Sequence, residues 1–303
     1  MTTPEGKPNP PLTRDAAAAL IRTSFPAVDA AELQYLGSGW NYDAFLTRDA
    51  WVFRFPRCSW SGGLFEAEAN VHRFVAQILP SQIRIPRVEL LSKPTPDFPY
   101  PIAGHRYIRG VAADEIGEKL LPTLAREIAI LLNALHSTPA PVAGAAGIHE
   151  FEVDEDARQW LEHGSAKASE LRGLDPVVDR AIEWLHSKPS QPPFGPFHLI
   201  HGDLDPQHLL VDAETGFLLG VIDWTETVLG DAARDFVFLV TWKGWHFVEE
   251  VLRLYPRAVD RDFRTRLRYQ AQLLSIVWLA YAHEQGEDIT KHVRGVRNAF
   301  ATD

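Results

Sequence analysis

Cysteine is almost missing from this chain. Cys58 is the one thiol in 303 residues, which excludes a disulfide framework and any zinc site built on several thiolates. Long apolar runs are missing as well. The longest, around Leu273 to Ala282, is far short of the roughly 18–20 residues a membrane span needs. The opening segment MTTPEGKPNPPLTRD has no apolar stretch of the secretory type. There is no basic tail or stripe either. Lys and Arg total 30 against 40 Asp and Glu, a formal charge of −10, so nothing answers a phosphate backbone and nucleic acid is not an expected partner. Internal repeats and low-complexity tracts are absent. What remains is an ordinary globular composition, 46% hydrophobic and 23% charged, which excludes a mostly disordered chain. At about 150 residues per domain the length suggests two domains or one large bilobal unit. The expectation is a cytoplasmic, membrane-free monomer. Its negative charge permits a cationic small-molecule partner, although solubility alone accounts for it.

The patterning divides the chain. Residues 1–11 are polar and Pro-rich and are expected to be flexible. TRDAAAALIRTSF reads as a short helix with Thr13 as its N-cap. From Leu33 to Phe55 apolar and polar residues alternate between turn signals, the pattern of three antiparallel strands. Glu66 to Leu79 has helical spacing, and Pro86–Ser92 and Gly104–Ile108 read as two more strands. After Gly110 the character becomes helical: Leu121–Leu135, Asp154–Glu162, Val177–Ser187 and most of the rest. Only two short β-like segments are expected there, Leu209–Val211 and Leu218–Ile222. The predicted organisation is a β-rich N-lobe over residues 1–105 and a helical C-lobe over 106–303.

The informative segment is IHGDLDPQHLLVDAETGFLLGVIDWTETVLGDAARDF, Ile200 to Phe236. Asp203 is followed five positions later by His208, and fifteen further on by Asp223. The apolar runs Leu209–Val211 and Gly220–Ile222, joined through a Thr215-Gly216 turn, predict a hairpin. That hairpin sets His208 at the start of one strand beside Asp223 at the end of the next. Phosphoryl transfer needs such a set: one carboxylate for the attacking hydroxyl, and a second carboxylate with a further ligand for the magnesium ions. Imidazole is softer than magnesium prefers, so His208 could instead bond a phosphate oxygen or a bound water. His201 in isolation reads as a satisfied loop histidine.

HGDLDPQHLLVD followed by GVIDW resembles the aminoglycoside phosphotransferase superfamily, whose signature is roughly H-G-D-L-x-P-x-N and two hydrophobic residues. His208 in place of that Asn, and Trp224-Thr225-Glu226 after Asp223, are more similar to its macrolide 2′-phosphotransferase branch. The resemblance implies an α+β, bilobal protein-kinase-like fold, with an antiparallel β-sheet N-lobe carrying one main helix and a mostly helical C-lobe. It implies that Asp203 is the catalytic base, that His208 and Asp223 are ligands for Mg2+, and that Asp235 holds the catalytic loop.

The same resemblance assigns the N-terminal third to the nucleotide, ATP or GTP. Gly37-Ser38-Gly39 is a turn whose amides could approach phosphates, although most such turns are plain hairpins. Arg54 stands where kinases place the Lys of V-A-I-K. A guanidinium still grips phosphate, and related members carry either residue. Its partner acid is Glu66 or Glu68, and Val71 and Val75 downstream favour Glu68. Tyr107 and Ile108 would flank the base at the hinge. The implied reaction moves the nucleotide γ-phosphate to a hydroxyl of a small-molecule antibiotic, first of all the 2′-hydroxyl of a macrolide amino sugar, giving resistance. An aminoglycoside or small-metabolite kinase is the alternative of the same class, and a catalytically impaired nucleotide-binding homologue is the alternative from another functional class. Acids at Glu150–Asp156 suit a cationic ligand or a solvated helix start. The aromatic run Phe236–Phe247, with Trp278 and Tyr281, reads as core first and substrate pocket second.

Overall fold

The computed structural model describes residues 11–39, 41–58, 61–152 and 155–302, with residues 62, 155–157, 159 and 160 described by backbone alone. The Pro-rich start and Asp154 thus lie outside the described residues, and the side chains of Glu155 and Asp156 lie outside them too. The chain forms two compact units. One contains the chain up to Gln77 with Arg84–Arg109, the other Ile78–Ile83 with the chain from Gly110 onward.

The smaller unit begins with α1 (Arg14–Ser24), capped as the sequence predicts: the Thr13 hydroxyl accepts the Ala16 N–H at 3.2 Å. Ala17, Ala18 and Ile21 bury its apolar stripe against a five-stranded antiparallel sheet. The strands are β1 (Leu33–Ser38), β2 (Tyr42–Thr47), β3 (Trp51–Pro56), β4 (Leu90–Leu91) and β5 (Ala103–Arg106), in the order β1-β2-β3-β5-β4. Between β3 and β4 runs α2 (Leu64–Ile78). Strand β2 alternates partly buried and buried residues, as a strand with one core face does. In β3, WVFRFP, every residue except Arg54 is buried. An arginine in such a run needs partners, and it has them. The strand expected over Pro86–Ser92 contracts to Leu90–Leu91, because Pro86 has no N–H to give a ladder.

The larger unit holds β6 (Val111–Ala112), α3 (Leu121–His136), α4 (Ala140–Ala145), α5 (Glu155–Lys167), α6 (Pro176–His186), β7 (Phe197–Ile200), β8 (Leu209–Val211), β9 (Leu218–Val221), β10 (Val228–Asp231), α7 (Val237–Leu254), α8 (Phe263–Glu284) and α9 (Thr290–Ala299). Leu124, Ile128, Leu131, Leu132 and Leu135 of α3 are buried at helical spacing, which is why this segment reads so clearly as a helix. One expectation is corrected here. Besides β8 and β9, the described residues of this unit include β6, β7 and β10, with β6 beside β8 and β7 paired to β10. These strands are two to four residues long, too short for a two-residue period to stand out, and their partners are distant in sequence. Among the described residues no helix is long and apolar enough to cross a membrane.

Candidate active site

The loop after β7 is built around Asp235, which is fully buried. Its carboxylate accepts the backbone N–H groups of His201 at 3.0 Å and Gly202 at 2.8 Å, and the His136 ring nitrogen Nε2 at 3.1 Å. Burial opposes its charge, but the His136 bond and the nearby donors hold the carboxyl below its usual range. Behind it the Tyr255 hydroxyl reaches Nδ1 of His136 at 2.8 Å. Gly202 has φ +83°, and a Cβ there would lie 2.2 Å from the Glu226 carbonyl oxygen. Only glycine fits. Arg234 clamps the same residue from the other side, its Nε–H donating to the Gly202 carbonyl at 2.9 Å.

His201 is a satisfied loop histidine, as its sequence context suggests. It is fully buried, and burial pushes it down to about 4, so the ring is neutral near pH 7. Nε2–H donates to the Ile222 carbonyl at 3.1 Å, which leaves Nδ1 to accept the Asp203 N–H at 3.3 Å. This fixes the backbone from which the Asp203 carboxylate projects. Next, the Asp205 N–H donates to the Asp203 carbonyl at 2.8 Å, and the Asp205 side chain caps a 3-10 turn over Pro206–His208 through the Gln207 N–H. The turn delivers His208 to the start of β8.

The β8–β9 hairpin matches the sequence expectation, with Leu209 opposite Val221 and Leu210 opposite Gly220. The Asp212 carboxylate accepts two N–H groups and the Thr215 hydroxyl at its turn. At its open end the Ile222 N–H donates to the His208 carbonyl at 3.0 Å, which sets Asp223 beside His208. Asp223 has φ +60°, a left-handed conformation that Asp tolerates better than most residues. Its Oδ1 accepts the Thr225 hydroxyl at 2.7 Å.

Asp203, His208 and Asp223 each offer a ligand atom within 4.8 Å of the others. His208 donates Nδ1–H to the Asp203 carbonyl at 2.8 Å, and its Nε2 lies 3.8 Å from Oδ2 of Asp223. Burial pushes the Asp203 carboxyl up to about 6, against the pull of His208. Burial also opposes an imidazolium at His208, but the Asp203 and Asp223 carboxylates raise it above its ordinary value. A cation relieves this crowding of carboxylates, so the donor set fits a divalent metal ion.

In the smaller unit, Arg54 donates from both terminal nitrogens to Glu68, at 2.9 and 2.6 Å. The choice between the two acids falls to Glu68, which is buried, while Glu66 is exposed. The guanidinium also lies 4.9 Å from the Tyr42 ring centre and 5.2 Å from that of Phe65, and those rings stack on each other. Arginine here is a fixed plane. Lysine would keep the charge and lose both the fork and the ring contact. For Arg54→Lys we expect the KM for nucleotide to rise about tenfold, the loss of one charged hydrogen bond, with a smaller change in kcat. Steady-state kinetics with ATP and GTP checks this, and an unchanged KM would remove Arg54 from the phosphate site.

Other predicted groups are partly engaged. The Gly39 N–H closes the β1–β2 turn on the Tyr42 carbonyl at 2.9 Å, and Gly37 and Ser38 lie in β1 itself, opposite Ala44 and Asp43 of β2, rather than in an open turn. The Tyr107 N–H is bonded to the Ala50 carbonyl at 2.9 Å, and Ile108 is buried. Phe236, Phe238, Trp242 and Phe247 are core, and Trp278 and Tyr281 are partly buried. Glu150 and Glu152 are exposed. Reading the sequence missed the His136–Tyr255 support, whose members lie 99 and 119 positions from their partners. It also missed Thr225 as the anchor of Asp223. A hydroxyl two residues after a proposed ligand is the signal that points to it.

The family model described as "Phosphotransferase enzyme family" (APH) matches residues 32–274. The chain belongs to this family. It is therefore a phosphotransferase of kinase type, as the resemblance implied, and its fold is the one expected. It is 28% identical over 287 residues to uncharacterized protein YcbJ of Bacillus subtilis (strain 168), covering 89% of this chain and 91% of that protein. It is 22% identical over 269 residues to hygromycin-B 4-O-kinase of Escherichia coli, covering 82% and 73%. Among solved structures it is similar to the GDP and kanamycin complex of APH(2")-IIia, with a TM-score of 0.72 at 21% identity over 93% of this chain and 96% of that one. A macrolide 2'-phosphotransferase type I matches with a TM-score of 0.60 at 18% identity over 97% and 100%. The fold is common to both branches of this phosphotransferase family, and these likenesses do not choose between them.

Proposed function

We propose that this phosphotransferase moves the γ-phosphate of ATP or GTP to a hydroxyl of a small-molecule antibiotic. The observation that carries the reading is the convergence of Asp203, His208 and Asp223 on one loop and hairpin. Asp203 orients the acceptor hydroxyl and takes its proton as the new oxygen–phosphorus bond forms. The bond from γ-phosphorus to the bridging oxygen breaks, and the nucleoside diphosphate leaves. His208 and Asp223 would hold Mg2+, which when bound neutralises charge on the phosphates. Arg54, fixed by Glu68, supplies a protein cation for those phosphates. GDP in one structural neighbour and ATP in another support a nucleotide of either purine.

Two acceptors each have an observation behind them. His208 and the Trp224-Thr225-Glu226 sequence favour the 2′-hydroxyl of a macrolide amino sugar. The hygromycin-B 4-O-kinase relative and the kanamycin in a neighbour's complex favour an aminoglycoside hydroxyl. The aromatic run of α7 is a weak argument for a macrolide, because Phe238, Trp242 and Phe247 are buried in the core and Trp245 lies under Arg268. The test is incubation with Mg2+, ATP or GTP and a panel of macrolides and aminoglycosides, followed by mass spectrometry of each drug. A gain of one phosphoryl group on one class names the acceptor. No gain on any drug with either nucleotide overturns the antibiotic reading.

A further inference from the structure

The larger unit holds a cavity of about 630 Å³ where α5, α6 and α8 meet, a size common among small-molecule sites. No residue of the loop after β7 or of the β8–β9 hairpin lines it. Its wall is aromatic. Trp184, near the end of α6, stands edge-on to Tyr269 of α8 with ring centres 5.8 Å apart, and to Phe300 at 5.6 Å. Rings fixed in this way offer a flat ligand their edges and faces without first being ordered. Leu273, one helical turn past Tyr269, completes the apolar side.

The polar groups on the lining are donors. Arg172 can only donate, so its contact with Nδ1 of His186, at 3.5 Å, makes that nitrogen the acceptor. Nε2–H of His186 then donates to the Ser169 hydroxyl at 3.2 Å, and Ser169 keeps its own hydrogen to give. The Tyr269 hydroxyl has no hydrogen-bond partner among the described residues, and burial raises it above its ordinary value. Lys188 is the cation of the group. Its φ of +51° is a left-handed conformation that glycine usually supplies just past a helix, and its N–H closes α6 on the Leu185 carbonyl at 3.0 Å. Among the described residues Lys188 has no ion pair, and no carboxylate or side-chain amide lines the cavity. Glu170, the acid next to Ser169, is bonded to Lys167 at 3.0 Å.

We propose that this cavity is a second small-molecule site, separate from the phosphotransfer centre, and that it takes an aromatic carboxylate. An aromatic body matches Trp184, Tyr269 and Leu273. A carboxylate matches Lys188 and the Ser169 and Tyr269 hydroxyls, one cation and two donors on the same lining. An amine would need a carboxylate or amide acceptor, which this lining does not offer, so the cavity is no second seat for a cationic drug.

The probe is 2-naphthoate, titrated by calorimetry into the full-length protein with neither nucleotide nor drug present. Submillimolar binding at one site is expected. The neutral 2-naphthalenemethanol is expected to bind about tenfold more weakly, the loss of one charged contact, and 2-naphthylmethylamine not detectably. Lys188→Gln is expected to weaken 2-naphthoate about tenfold and Tyr269→Phe about threefold, with native circular dichroism in both. Leu273→Trp fills the cavity and is expected to abolish binding. Should that variant not fold, Ser169→Glu, at an exposed position, sets a carboxylate against the ligand's own and is expected to weaken it at least as much as Lys188→Gln. No binding of 2-naphthoate, equal binding of the amine, or undiminished affinity in the cavity variants overturns the proposal.

Discussion

Replacing Asp203 with Ala is expected to lower kcat by roughly three to four orders of magnitude, while the affinity for nucleotide stays within a few-fold of wild type. The size follows from the part assigned to this carboxylate. Positioned general bases contribute about 10²- to 10⁴-fold, and Asp203 also orients the attacking oxygen. It is reserved for that task by its surroundings. The Asp203 N–H is taken by His201 and its carbonyl by Asp205 and His208, so the backbone is fixed and the carboxylate projects from it. Removing the side chain leaves those backbone bonds in place, and for this reason folding and nucleotide binding should survive. Single-turnover phosphorylation of whichever acceptor the panel identifies, with nucleotide affinity measured by calorimetry, separates the two quantities. Turnover within tenfold of wild type would refute the role given to Asp203.

The second large effect is expected from Asp235→Ala. This carboxylate satisfies the His201 and Gly202 N–H groups and the His136 ring at full burial. Leaving a buried donor unsatisfied costs about 1–3 kcal/mol, and here three donors lose their acceptor. These costs overlap, so a loss of about 3–5 kcal/mol is the expectation, a large share of the stability of an ordinary domain. Asp235→Asn keeps one acceptor oxygen, and about half the loss is expected. Denaturant unfolding of both variants measures this. A loss under 1 kcal/mol in Asp235→Ala would mean that the loop is held by something else. Where Asp235→Asn folds, its kcat should fall with little change in nucleotide affinity, because Asp203 stands on the loosened loop.

The parts of this protein legible in its sequence are those whose cause is local. The α3 helix shows because five buried leucine-type positions recur at helical spacing within sixteen residues. The β8–β9 hairpin shows because two apolar runs flank a turn that Asp212, Thr215 and Gly216 make among themselves. The hairpin signal by itself therefore places His208 beside Asp223, where they are found. Strands β6, β7 and β10 were not legible, because a strand of two to four residues is defined by its partner, and the partners lie elsewhere in the chain. The glycine turn and the hinge show a different gap. Their sequences suit nucleotide contacts, but the Gly39 and Tyr107 N–H groups are bonded to carbonyls of their own unit, which no spacing rule reports.

By itself the sequence determined the class of this protein: a composition without a disulfide framework, a membrane span or a basic surface, and an Asp-His-Asp spacing that suits phosphoryl transfer. The resemblance of HGDLDPQHLLVD and GVIDW to the phosphotransferase family carries that information, since the chemistry needs these groups together in space and the spacing alone is only compatible with it. Tertiary structure decided what the groups are able to do. It chose Glu68 over Glu66 by burying one and exposing the other, wedged Arg54 against Tyr42 and Phe65, and set Asp235 under the loop that follows β7, with His136 and Tyr255 behind it. It also assigned Phe238, Trp242 and Phe247 of α7 to the core. Each of these is settled by which surfaces leave water together, a property of packing between segments far apart in the chain.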